Sequence, residues 1–254
     1  MKNFKKYVRN ENIDEIKNLI KKGEDMNKEN KNGTTALMMA ASYDRPEIVE
    51  TLITSGVDIK TEDKHNSTAL CEAASNDCYE SMRLLVESGA NVNQRGLNGN
   101  TPLIESVQKC NLEAVKLLVK SGADVNIEND YGCTALFYIV PFATYDPYLK
   151  EETNTLKIAS LLIESGAQIN KISDMGRTPL MWSARGGDTE MVKFLLEKGS
   201  DSAIVDKGGL SALAWAIISK NYKAADLLIK HNNSQGSESS NSGKMNCFWN
   251  FYLG

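Results

Sequence analysis

Side chains that do covalent chemistry or hold metals are few in this sequence, and their spacing works against both. The two histidines, His65 and His231, fall at an expected loop tip and an expected helix end, so they cannot form a pair with metal-ligand spacing. Cys71, Cys78, Cys110, Cys133 and Cys247 are odd in number and include no CxxC step. That pattern argues against a disulfide scaffold or a zinc ribbon and points to reduced thiols inside a cell. Cys71 and Cys78 read as core or near-core thiols rather than ligands. No GxSxG, GxxxxGK[ST] or HExxH occurs. Gly186-Gly187 and Gly208-Gly209 read as turn glycines, not as a phosphate cradle. The expectation is a chain with no catalytic residue, no cofactor and no metal, and so no enzyme.

The chemistry that remains is recognition, and the composition narrows it. The chain has 254 residues, is 41% hydrophobic and 24% charged, and carries a net charge of −4. Nucleic-acid surfaces usually need a basic excess, which is missing. No apolar run approaches the roughly 18 residues of a membrane helix, and the N-terminus has no apolar core of a secretory signal. The sequons at Asn32, Asn66 and Asn232 are therefore expected to be empty. A cytoplasmic protein, monomeric on its own, is expected, with a protein or peptide as partner and with neither nucleic acid nor membrane.

The elements that must position recognition residues come in copies. A Thr/Ser-x-Leu step ends at Leu37, Leu70, Leu103, Leu136, Leu180 and Leu213, at intervals of 33 residues except for 44 between Leu136 and Leu180. In the best-formed copy, residues 176–201, Thr178 is placed to cap a helix and Pro179 to occupy its first turn. Gly186-Gly187 should stop that helix, and Asp188 or Thr189 should cap the next. Met191, Val192, Leu195 and Leu196 then form one apolar face, and Gly199 ends it. Each helix is shorter than the roughly 12–15 residues that persist alone in water, so each copy must lean on its neighbours.

Stretches such as GTTALMMAAS, GRTPLMWSARGGDTEMVKFLLEKGSD and AVKLLVKSGADVN closely resemble the ankyrin-repeat family. The resemblance covers residues 1–231. It implies an all-α fold: an α-solenoid of helix-turn-helix repeats joined by β-turn or hairpin loops, about seven in number. The family's motif histidine is replaced by Met38, Cys71, Ile104, Phe137, Met181 and Ala214, so its Thr–His hydrogen bond is expected to give way to apolar packing. Phe4 occupies the leucine slot of an incomplete first copy, whose polar first helix suits a terminal cap. An 11-residue insertion near 141–152 carries Pro141, Pro147, Phe142, Tyr145 and Tyr148. These rings either pack over adjacent helix ends or make a second docking site. Residues 232–244 read as a flexible polar linker. Residues 245–254 form an aromatic segment that either folds back or docks a partner.

The resemblance further implies that first helices line a concave side and that loop tips project beyond it. The position two past the motif leucine then faces a partner: Met39, Glu72, Glu105, Tyr138, Trp182 and Trp215. Tyr43, Tyr131 and Arg185 lie nearby. Tyr, Trp and Arg are the types that most often dominate interface energy, although the two tryptophans could equally just cover the gap between inner helices. The expected function is a non-catalytic intracellular protein–protein interaction module, acting as adaptor, anchor or stoichiometric inhibitor. Its groove would have an acidic centre and an aromatic end, suited to a peptide with apolar anchors and a Lys or Arg. The alternative is an autoinhibited module whose own aromatic tail fills that groove.

Overall fold

The computed structural model describes residues 4–139 and 152–236. Residues 140–151, most of the aromatic insertion, and the segment 245–254 lie outside them. The described residues contain thirteen α-helices, two 3₁₀ turns and no strand; one isolated antiparallel bridge joins Val205 and Ser211. The chain divides into two compact units, Met1–Asp174 and Met175–Gly254.

In the first unit, helix pairs follow one another as α1 (Phe4–Arg9) and α2 (Ile13–Lys21), α3 (Ala36–Ser42) and α4 (Pro46–Thr54), α5 (Ala69–Ser75) and α6 (Tyr79–Glu87), and α7 (Pro102–Gln108) and α8 (Leu112–Lys120). The last pair is a 3₁₀ turn, Ala135–Tyr138, and α9 (Glu152–Glu164). First helices pack on first helices and second on second, giving two layers with the core between them. The second unit holds α10 (Pro179–Gly186), α11 (Thr189–Glu197), α12 (Ala212–Ile218) and α13 (Tyr222–Gly236), layered in the same way. The solenoid of helix-turn-helix repeats is therefore as the residue pattern indicates. Helix α13 continues to residue 236, five residues into the stretch that composition assigns to a linker.

The local chemistry is the expected one. Thr178 accepts from the Met181 N–H, Asp188 accepts from the Met191 N–H, and Gly187 closes α10 with a left-handed φ of 78°. Thr35, Thr68, Thr101 and Ser211 cap their helices in the same manner. Each such cap is worth about 1 kcal/mol, which matters for helices only seven residues long. The second-helix faces are buried at Val49, Leu52, Leu85, Val115, Leu118, Leu162, Met191, Leu195 and Leu228. The next apolar position in each copy, at Ile53, Val86, Val119, Ile163 and Ile229, is only half-buried, and Leu196 alone is closed off.

The lost motif histidine has a more polar replacement than simple apolar packing in two copies. The Met38 thioether accepts the Thr35 N–H at 3.4 Å, and the Thr68 hydroxyl donates to the Cys71 sulfur at 3.5 Å. Sulfur is polarisable and a weak acceptor, so it recovers part of what an imidazole would supply. Ile104, Phe137 and Met181 are buried apolar substitutes. Phe4, at 4% exposure, does fill the leucine slot of the incomplete first copy.

Candidate functional site

The loops that join copies are built on one residue, three before the motif glycine. Asn30, Asp63, Asn129 and Asp206 each turn a side-chain oxygen back onto two N–H groups of their own loop, at 2.7–3.1 Å. This is the Asx turn, which fixes a loop without any regular strand. Adjacent tips are stitched by backbone bonds: within the first unit Lys64 donates to Asn32, Asp130 to Asn98 and Asp174 to Tyr131, and within the second Lys207 donates to Met175. Gly176 must be glycine for two reasons. Its φ is +74°, and a Cβ there would lie 2.8 Å from the Lys207 nitrogen.

In four copies the turn residue stands nine positions before the candidate recognition residue, and at Asn129–Tyr138 and Asp206–Trp215 the two side chains are hydrogen-bonded. In the first unit the pairing differs from copy to copy. Asn129 donates to the Tyr138 hydroxyl at 2.8 Å and to the Asn100 carbonyl oxygen at 2.9 Å, and Asn100 in turn donates to the Glu105 carboxylate at 2.8 Å. Asn100 and Asn129 are 8% and 4% exposed, so this chain of amides is a satisfied buried network that fixes Tyr138 and Glu105. Burial pushes the Tyr138 phenol up, and the Asn129 bond opposes it.

At Asp63 and Glu72 the same pairing puts acid beside acid. Burial raises the Glu72 carboxyl above its ordinary value, the Asp63 and Glu105 carboxylates raise it further, and His65 pulls the other way. Among the described residues no lysine or arginine forms an ion pair with Glu72. Glu72 and Glu105 are thus a half-buried, like-charged pair on adjacent first helices, α5 and α7.

In the second unit the chemistry inverts. The Trp215 indole N–H donates to Asp206 Oδ2 at 3.0 Å, the counterpart of the Asn129–Tyr138 bond. The guanidinium of Arg177, just before the cap of α10, lies 5.3 Å from the Trp182 ring centre and 4.6 Å from that of Trp215. Arg185, one turn past Trp182, lies 5.3 Å from both. Arg177 Nε also approaches Asp206 Oδ2 at 3.7 Å. Burial pushes the Asp206 carboxyl up, but the N–H groups of Leu210, Trp215 and Gly208 and the Arg177 charge outweigh it and hold it below its ordinary value. The two tryptophans are half-buried and Arg185 is exposed.

Of the residues the sequence singles out, the structure brings Glu72 with Glu105, Trp182 with Trp215 and Arg185, and places Tyr138 at the end of the amide network. Tyr131 is open at 57% exposure. Met39 is a correction: at 9% exposure it belongs to the packed layer of α3 and presents little to a partner. Tyr43 is half-buried beneath Arg9, which donates to its hydroxyl at 3.0 Å and lies 5.3 Å over its ring. Sequence reasoning missed Arg177, Asn100, Asn129 and Asp206. The signal was present, since an Asx residue recurs nine positions before the partner-facing site in four of the six complete copies. Cys71 and Cys78 are buried thiols. Burial raises both, and Cys78 is pushed up to about 11. Among the described residues no cluster of His, Cys, Asp or Glu could hold a metal, and no helix is long and apolar enough to cross a membrane.

Comparison with known proteins agrees with this architecture. A family model described as "Ankyrin repeats (3 copies)" matches residues 5–96 and 150–238, and one described as "Ankyrin repeat" matches residues 98–130. No curated protein sequence matches significantly. Among solved structures, the ankyrin repeat domain of Bcl-3, described as a unique member of the IkappaB protein family, is similar to this chain with a TM-score of 0.71 and 24% identity. The match covers 89% of this chain and 97% of that one.

Proposed function

From the premise that the chain belongs to the ankyrin-repeat family, whose repeats generally serve as protein-interaction modules, we propose that it is a non-catalytic module that binds a protein partner through its first helices and loop tips. The observation that carries the proposal is the Glu72–Glu105 pair. Two carboxylates are held half-buried on adjacent helices, with no lysine or arginine in an ion pair with either among the described residues and with burial and its acidic neighbours raising the Glu72 carboxyl. Such a pair stores unfavourable electrostatics that an incoming ammonium or guanidinium relieves, so the first unit takes a Lys or Arg of the partner. Asn100 and Asn129 pre-position Glu105, which lowers the ordering cost of binding. Cys71 and Cys78 are thiols rather than a disulfide, which suits a reducing, intracellular setting.

The test is to capture a partner from the source lysate and then measure the binary affinity with purified proteins. Glu72→Lys and Glu105→Lys are each expected to weaken binding by roughly tenfold or more, mainly through repulsion. Binding that is indifferent to both reversals removes the first unit as the docking surface. Binding that also survives removal of loop-tip Tyr131 leaves the recognition reading without a site.

A further inference from the structure

The tryptophan–arginine cluster of the second unit is built for a different ligand from the acidic pair. Residues 175–254 carry nine basic and seven acidic side chains, whereas residues 1–174 carry 20 basic and 26 acidic. Within the second unit two cations stand against the tryptophan rings. Arg177 and Arg185 both lie within 4.6–5.3 Å of the indole centres, and the acid beside them, Asp206, is already committed to two loop N–H groups and the Trp215 indole. Arg177 is drawn inward toward Asp206 and its side chain is only 22% exposed. Arg185 is exposed, and no carboxylate among the described residues pairs with it. Its guanidinium lies over both rings and its side chain is open to solvent.

We propose that this surface, Arg185 over Trp182 and Trp215 with Arg177 behind it, binds an acidic peptide segment of a protein partner. The proposal rests on the recognition reading above and names the chemistry of a second contact. A Glu or Asp carboxylate takes the Arg185 fork in a bidentate pair, the geometry that matches guanidinium best. A neighbouring apolar side chain packs on the part of the indoles still exposed. A cationic segment is repelled here, so any Lys or Arg anchor belongs to the Glu72–Glu105 surface instead. Single-stranded nucleic acid fits poorly, because base stacking needs open aromatic faces and these carry the chain's own guanidiniums.

The experiment uses the full chain and fluorescence anisotropy with a fluorescein-labelled peptide alternating Glu, Asp and Leu. Comparison probes replace the acids with Gln and Asn, replace them with Lys, or substitute oligothymidylate of equal charge. Arg185 is exposed, so its variants should fold, which circular dichroism checks. The acidic peptide is expected to bind, and to lose about tenfold in affinity in Arg185→Gln and a smaller but measurable part in Arg185→Lys. Equal binding of the Gln/Asn peptide, insensitivity to Arg185→Gln, or no binding at all overturns the proposal. Oligothymidylate binding with the same Arg185 dependence also overturns it, in favour of nucleic acid. If a captured partner is lost in Glu72→Lys but not in Arg185→Gln, recognition by the first unit stands and this second contact falls.

Discussion

In the first unit, the side chains nine positions beyond the loop-turn residues Asn30, Asp63 and Asn129 are Met39, Glu72 and Tyr138; in the second, Trp215 holds that position with Asp206 as its turn residue. The backbone bonds that make the turns are the same in Asn30, Asp63, Asn129 and Asp206. What differs is the use of the remaining atoms. Asp63 faces a carboxylate and raises it, Asn129 donates to a phenol, and Asp206 accepts from an indole beside a guanidinium. One repeat geometry therefore delivers an acidic, electrostatically frustrated surface in one unit and a satisfied cationic–aromatic one in the other. The comparison shows that the repeat fixes where a recognition residue stands, while the partner of its turn residue fixes the residue's charge state and freedom.

The largest difference between the units is expected when the two turn acids are removed. Asp206→Ala deletes three charge-assisted bonds and leaves Arg177 without its counter-charge, so it is expected to cost about 3 kcal/mol. Asp63→Ala deletes two loop bonds but relieves Glu72, and should cost visibly less. Chemical denaturation of each variant, read by Trp182 and Trp215 fluorescence for the second unit and by circular dichroism for the whole, checks the order. Equal costs would mean that the turn alone matters and the ninth-residue partner does not. The Asp206 contribution has a defined sign with pH. Its carboxyl is depressed on folding, so the stability it adds is present above its ordinary value near 3.8 and is lost as pH falls through the lower folded value.

A second variant sharpens what the units share. Gly176→Ala forces a left-handed φ on an alanine and drives a methyl against the Lys207 backbone; Gly33→Ala does the same against Asp63 and Lys64. Both should cost about 1–3 kcal/mol and should do so nearly equally, because the tip-to-tip stitch is common to the two units. Thermal melts of the pair test this, and a large asymmetry would show that the loop stitch is not equivalent in the two.

Most of the fold was legible in the sequence for a physical reason. Caps, turn glycines and apolar faces are local signals, and the 33-residue period repeats each of them, as at Thr178, Gly187 and Met191. The candidate surface was legible only in part. Glu72, Glu105, Trp182, Trp215 and Arg185 follow from their place in the period. Met39 occupies the same place yet is buried, because a long flexible thioether can turn into the layer where a carboxylate cannot. Arg177 and Asp206 were invisible as site residues because their role depends on tertiary closure, which brings a residue before α10 and a loop before α12 onto the same two rings. The aromatic end, expected as one part of a groove with an acidic centre, thus also holds two guanidiniums of the chain itself.

The smallest expected effect tests the frustration of the acidic unit directly. Burial and two neighbouring carboxylates raise the Glu72 carboxyl on folding. For such a group the folded state holds the proton more tightly than the unfolded chain, so its favourable contribution is present below the ordinary carboxylate value and is lost as pH rises through the folded one. Glu72→Gln keeps the shape and removes the charge. It should therefore melt slightly higher than the parent at neutral pH, with the advantage shrinking as pH is lowered through the carboxylate range and gone once both forms of the parent are protonated. Parallel melts across that range check it. Arg185→Gln in the second unit, where the charge is attracted to the rings rather than repelled, should shift stability the opposite way and without this pH dependence. If the two variants move together, the opposition between the units is one of composition only and the electrostatics at Glu72 are screened away by solvent.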